Sequence, residues 1–129
     1  MPELPRPSDF ELAILRVLWR LESATVRQVY EALQTERELG YTTVLKTMQI
    51  MADKGLVLRD ESAKSHVYRA AQAEQKTQGG LVRDLLDRAF GGSALQLMAH
   101  ALNAKKPDAS ELDAIQALLD QARAKRGRK

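Results

Sequence analysis

Apolar positions recur at helical spacing from the start of the chain. Ser8-Asp9-Phe10-Glu11 carries the capping-box pattern, a hydroxyl followed three residues later by a carboxylate. It opens a run with Leu12, Leu15, Leu18 and Trp19 on one face. Glu22-Ser23-Ala24 interrupts that run. Thr25-Val26-Arg27-Gln28 repeats the capping pattern and starts a short second helix through Val29, Tyr30 and Leu33, from which Glu36 to Gly40 lead into a third. There Val44, Met48, Met51 and Ala52 make a core-facing stripe, and Gly55 supplies a left-handed stop. The signal then changes. Leu56-Val57-Leu58-Arg59 and His66-Val67-Tyr68-Arg69 read as two short strands, with the polar run from Asp60 to Ser65 as the loop between them. Three helices followed by a hairpin is the element order of a winged helix-turn-helix, in which the third helix enters the major groove and the hairpin lies on the flanking backbone.

The polar side of the third helix agrees with that order. It carries Thr42, Thr43, Lys46, Thr47 and Gln49, compact hydrogen-bonding groups around one cation, where a solvated face would ordinarily be rich in Glu and Lys. Short polar side chains leave room for a duplex groove to come close. Taken alone, the same composition also describes a Thr-rich surface helix.

Beyond the hairpin the pattern is helical again. Leu81, Val82, Leu85, Leu86, Ala89 and Phe90 form one stripe. Ser93 caps a second helix with Leu95, Leu97, Met98, Ala101 and Leu102. Pro107-Asp108-Ala109-Ser110 starts a third with Leu112, Ile115, Leu118, Leu119 and Ala122. Three helices in so short a segment, apolar on more than one face, seldom build a sufficient core by themselves. Burying the stripes against a symmetric copy is the economical solution, and folding back on the chain's own first domain is the alternative.

Composition narrows the class. The 129 residues contain no cysteine, which removes disulfides and thiolate metal sites. No apolar run approaches a membrane span and the N-terminus has no secretory pattern, so a cytoplasmic protein is expected. The net charge of +3 is misleading as a sign of nucleic-acid binding, because residues 1–70 hold ten Lys/Arg and ten Asp/Glu. The excess lies in the C-terminal half, where Arg123, Lys125, Arg126, Arg128 and Lys129 read as a disordered basic tail. Placement is more telling than the total: Glu31, Glu36 and Glu38 cluster around the second helix and its exit, while Lys46, Arg59, Lys64 and Arg69 fall on the third helix and hairpin. Catalysis finds no foothold. His66 reads as a wing surface residue and His100 as a partly buried helix residue, neither with a second ligand at metal spacing; Gly79-Gly80 and Gly91-Gly92 read as helix punctuation. No metal and no cofactor is expected.

Leu18-Trp19, Thr25-Val26 with Val29 and Leu33, Tyr41-Thr42-Thr43-Val44, Lys54-Gly55-Leu56-Val57, Val67-Tyr68 and Phe90-Gly91-Gly92-Ser93 together resemble the BlaI/MecI/CopY repressors, in the family's order, from about Ser8 to Ala122. The resemblance implies a homodimeric bacterial transcriptional repressor whose operators are inverted repeats. It also implies a mainly α fold with a small β-hairpin: a winged helix-turn-helix domain plus a C-terminal helical dimerisation extension. Three positions depart from the family. Ile50 stands where many members have a basic residue in the recognition helix. Gln96 to Leu102 lacks the Asn-Phe pair at which β-lactam-responsive members are cleaved. The paired cysteines of copper-responsive members are absent.

These readings assign residues 1–71 to a DNA-binding winged helix and 72–129 to a dimerisation region ending in a basic tail from about 124 to 129. Thr42, Thr43, Lys46 and Thr47 are the groove candidates, with Gln49 and Ile50 at the edge. Thr25, Val26 and Arg27 should offer backbone N–H groups to a phosphate, and Arg59, Lys64 and Ser65 should hold the backbone from the wing. Tyr41 either meets the phosphate backbone or packs at the helix start. Leu85, Leu86, Phe90, Leu95, Met98, Leu102, Leu112, Ile115, Leu118 and Leu119 are the dimerisation candidates. The expected partners are double-stranded DNA and a second copy of the chain, with no membrane. A winged-helix module that binds protein rather than DNA is the competing reading.

Overall fold

The computed structural model describes residues 6–34 and 38–127; Glu36 of the acidic cluster and Arg128 and Lys129 of the basic tail lie outside the described residues. The first helix, α1 (Asp9–Leu21), is capped as expected: the Glu11 N–H donates to Ser8 Oγ at 3.2 Å and the Ser8 N–H to Glu11 Oε1 at 2.8 Å. Its buried face is rotated from the expected one. Ile14, Leu15, Val17 and Leu18 are buried, whereas Leu12 and Trp19 are half-buried. Trp19 has a partner of its own, because its Nε1–H donates to the Gln72 carbonyl at 2.9 Å.

Glu22 ends α1 with φ of 70°, an uncommon conformation for a residue with a Cβ, and turns the chain sharply. The interruption expected at Glu22-Ser23-Ala24 is in part a strand: Ala24–Thr25 form β1. The next helix, α2 (Val26–Gln34), opens on the second capping box, with the Thr25 N–H donating to Gln28 Oε1 at 2.8 Å and the Gln28 N–H to Thr25 Oγ1 at 3.2 Å. Helix α3 (Tyr41–Lys54) closes at Gly55, φ 85°. The Gly55 N–H donates to Ala52 and the Leu56 N–H to Met51, the two bonds of a Schellman stop. Leu56 is thereby occupied by the helix end, so β2 begins one residue later than expected, at Val57–Asp60, and pairs with β3 (Val67–Ala70). The expected hairpin is part of a three-stranded antiparallel sheet in the order β1-β3-β2, with Ala24 opposite Tyr68.

Ile14, Leu18, Val29, Val44, Met48 and Met51 are completely buried, joined by Leu15, Leu33, Val57 and Tyr68. Helices α1, α2 and α3 and both long strands contribute, so α3 is held by its Val44-Met48-Met51 stripe with its other side outward; Ala52, expected in that stripe, is half-buried. Glu11 is buried too. Its Oε2 takes a hydrogen bond from Lys54 Nζ at 2.9 Å, tying the end of α3 to the start of α1. Burial alone would push the Glu11 carboxyl up, but the Ser8 N–H and the Lys54 ammonium outweigh it and hold it below its ordinary value.

The chain divides into two compact units, Met1–Arg83 and Asp84–Lys129, with α4 (Glu74–Ala89) running from one into the other. Gly79 and Gly80 lie inside this helix and do not punctuate it, whereas Gly91 and Gly92, at φ 55° and 85°, do end it. Helix α5 (Ala94–Ala104) is capped by Ser93 and α6 (Ala109–Gly127) by Asp108. The segment 124–127, expected to begin a disordered tail, continues α6. His100, expected to be partly buried, is exposed, its ring 5.6 Å from that of Phe90. Among the described residues no side chain of α4, α5 or α6 is buried.

Candidate nucleic-acid interface

A groove of about 700 Å³ lies where the N-terminal ends of α2 and α3 meet the loop end of the wing. Thr25, Val26, Arg27, Tyr41, Gln49, Lys64 and Ser65 line it, so seven of the residues singled out from sequence converge from three separate segments. Thr42, Thr43, Lys46 and Ile50 lie on the exposed side of α3 without lining the groove. Thr47 is half-buried, and its hydroxyl donates back to the Thr43 carbonyl at 2.8 Å, leaving its oxygen as an acceptor. The Val26 side chain is buried, which leaves only its backbone to face the groove.

Arg59 stands apart. It borders a second depression with Asp60, Glu61 and Arg69, and its Nε donates to Glu61 Oε2 at 3.0 Å. A phosphate would have to compete with that carboxylate. Lys64 and Ser65 are therefore better placed for a backbone contact. Besides Gln28, four groove residues escaped the sequence reading as site members: Glu31, Leu45, His66 and Tyr68. No local motif marks them, because α2, α3 and β3 bring them together only in the fold. Gln28 also lines the groove, and its capping role was the only signal it gave.

The helix ends differ in charge in a way that bears on the ligand. The first turn of α1 carries Asp9 and Glu11, the usual complement to the positive end of a helix dipole. Neither α2 nor α3 has an acidic residue in its first turn. The first turn of α2 holds Arg27 instead, and α3 starts at Gly40 without a side-chain cap. The acid-free first turn of α2 with Arg27, and Tyr41 at the acid-free start of α3, thus line one groove, with Glu31 as its one carboxylate among the described residues; acid-free helix starts suit an anion.

Three helices, a two-residue strand and a hairpin paired in this order define a winged helix. The chain belongs to the penicillinase repressor family, whose sequence profile matches residues 7–121. It is 36% identical to the transcriptional regulator BlaI of Mycobacterium tuberculosis, in strains CDC 1551 and H37Rv alike, over 98% of this chain and 92% of the relative. Among solved structures it resembles the solution structure of the DNA-binding domain of the repressor BlaI, with a TM-score of 0.51 and 23% identity over 57% of this chain and 90% of that one. Among the described residues no helix is long and apolar enough to cross a membrane, and no His, Cys, Asp and Glu group is arranged to hold a metal ion.

Proposed function

We propose that this protein is a dimeric transcriptional repressor, acting in the cytoplasm, that binds an inverted-repeat operator. In this reading α3 enters the major groove of each half-site with Thr42, Thr43, Lys46 and Thr47 toward the base edges and Gln49 and Ile50 at the margin. Lys46 suits a guanine edge or a phosphate, and Thr and Ile methyl groups suit thymine. Arg27 and the backbone at the start of α2 hold one phosphate, and Lys64 and Ser65 hold another from the wing. The observation that carries the reading is the pair of acid-free helix ends converging on one groove. Family membership and the regulator BlaI as a relative agree with it.

The three C-terminal helices support the dimer. Leu95 is 79% exposed and Leu118 63%, and Val82, Leu85, Met98, Leu112 and Leu119 are also exposed in the single chain. Large apolar residues concentrated in one segment without burial call for a partner. A second copy would bury them and carry two winged helices to two half-sites, with reading assigned to residues 1–71 and pairing to residues 72–129. Derepression by cleavage at an Asn-Phe bond is no part of this proposal, since Gln96 to Leu102 lacks that pair.

The balanced charge of residues 1–70 favours a second reading, a winged-helix module that binds protein. Titration of the intact chain against a random duplex at several salt concentrations separates the two. A log–log loss of affinity with salt, of slope about −0.9 per phosphate contacted, supports the repressor. Absence of binding at low salt supports the module.

A further inference from the structure

Arg27 has a choice of neighbours. Glu31, one turn on along α2, stands at the spacing of a helical ion pair, yet no Arg27–Glu31 bridge forms among the described residues. The guanidinium carbon lies 5.2 Å from the centroid of the Tyr41 ring, over its face. The Tyr41 ring is itself packed against Tyr30, with centroids 5.6 Å apart and planes at 79°, the T-shaped arrangement. Arg27 and Tyr30 are three residues apart on α2 and Tyr41 is the first residue of α3, so the three side chains bridge the starts of the two helices that open on the groove.

From this geometry we infer that Tyr41 and Tyr30 are positioning residues for Arg27, and that Tyr41 serves DNA binding through the guanidinium rather than by touching the duplex. The inference rests on the DNA-binding reading above. A cation in the first turn of a helix is opposed by the dipole, and a carboxylate partner would occupy the donors that a phosphate needs. The face of a ring satisfies the charge and leaves the N–H fork free. Among the described residues nothing accepts a hydrogen bond from that fork. A guanidinium already held in place loses less freedom when it binds a phosphate oxygen, and Arg does this better than Lys because it is planar and stacks. The stack also answers the open question about Tyr41: it packs at the helix start, and that packing is its contribution.

The test is a double-mutant cycle on the intact chain with an arbitrary duplex of about three helical turns, read as affinity and as salt slope. Arg27→Ala should lower the slope by about 0.9 for each Arg27–phosphate contact removed. Tyr41→Leu should weaken binding about 2- to 5-fold, the strength of an exposed cation–π contact. Tyr41→Phe, which keeps the ring, should bind as the parent does. Adding Tyr41→Leu to Arg27→Ala should change nothing further. Arg27→Lys, a surface change that leaves the core untouched, should keep the charge and still lose affinity. The inference is overturned if Tyr41→Leu costs as much without Arg27 as with it, if Tyr41→Phe is as weak as Tyr41→Leu, or if Arg27→Lys binds fully. Failure of the parent chain to bind duplex at low salt would instead remove the DNA-binding reading, and the inference with it.

Discussion

Glu11→Gln probes the contact that fixes the end of α3. Gln keeps an oxygen that can accept from the Ser8 N–H, so the capping box survives, but it loses the charge that meets Lys54 Nζ at 2.9 Å. A hydrogen bond between charged groups contributes about 1.5–3 kcal/mol. Here the Glu11 side chain is 5% exposed and that of Lys54 48%, so solvent screens one partner and the expected loss falls to about 1–2 kcal/mol. With a urea m-value of about 2 kcal/mol/M, the midpoint should fall by about 0.5–1 M. Trp19 is the chain's single tryptophan, and it is hydrogen-bonded to Gln72 in the same unit, so its fluorescence follows this unit's unfolding. The pH dependence has a definite sign. The folded carboxyl lies below its ordinary value of 4.5, so its stabilisation is fully present above about pH 4.5 and is lost as pH falls through the lower folded value. Parent and variant should therefore differ at neutral pH and converge in acid. Equal midpoints at neutral pH, or a gap that persists undiminished in acid, would refute the assignment of this stability to the Glu11–Lys54 pair.

Two further outcomes are expected. Lys46→Ala should cost roughly 1–3 kcal/mol of operator affinity and relax preference at one position of each half-site if Lys46 reads a base edge, or weaken all duplexes evenly with a shallower salt slope if it meets phosphate; unchanged affinity for every duplex removes it from the interface. Leu118→Asp places a charge at a site 63% exposed in the single chain, so monomer stability should move by less than about 0.5 kcal/mol. A charge buried without a partner across a dimer interface costs far more, so sedimentation should shift toward monomer and DNA affinity should fall with it. A variant that sediments as the parent does would take Leu118 out of the interface.

The features legible in the sequence are those whose partners lie within a few residues. Both capping boxes, the Schellman stop at Gly55 and the Ser93 cap join groups three to five positions apart, so residue type and spacing suffice to read them. The Val44-Met48-Met51 stripe is equally local, because helical periodicity alone puts these side chains on one face. Spacing does not say which way a face turns in space. The rotation of α1 that buries Ile14 and Val17 follows from how three helices and a sheet pack together.

Other features depend on pairs far apart in the chain. Trp19 meets Gln72 across 53 residues and Glu11 meets Lys54 across 43. Ala24–Thr25 is too short to show a strand pattern and becomes one only because β3 offers an open edge. Arg27 had a carboxylate at helical spacing and lies over Tyr41 instead, while Arg59, expected to serve the wing, is held by Glu61. Each of these is a competition among possible partners, and the sequence names the competitors without their distances. Local hydrogen bonding and periodicity determined the elements; the closure of long loops around the shared core decided which charged and aromatic side chains meet at the groove.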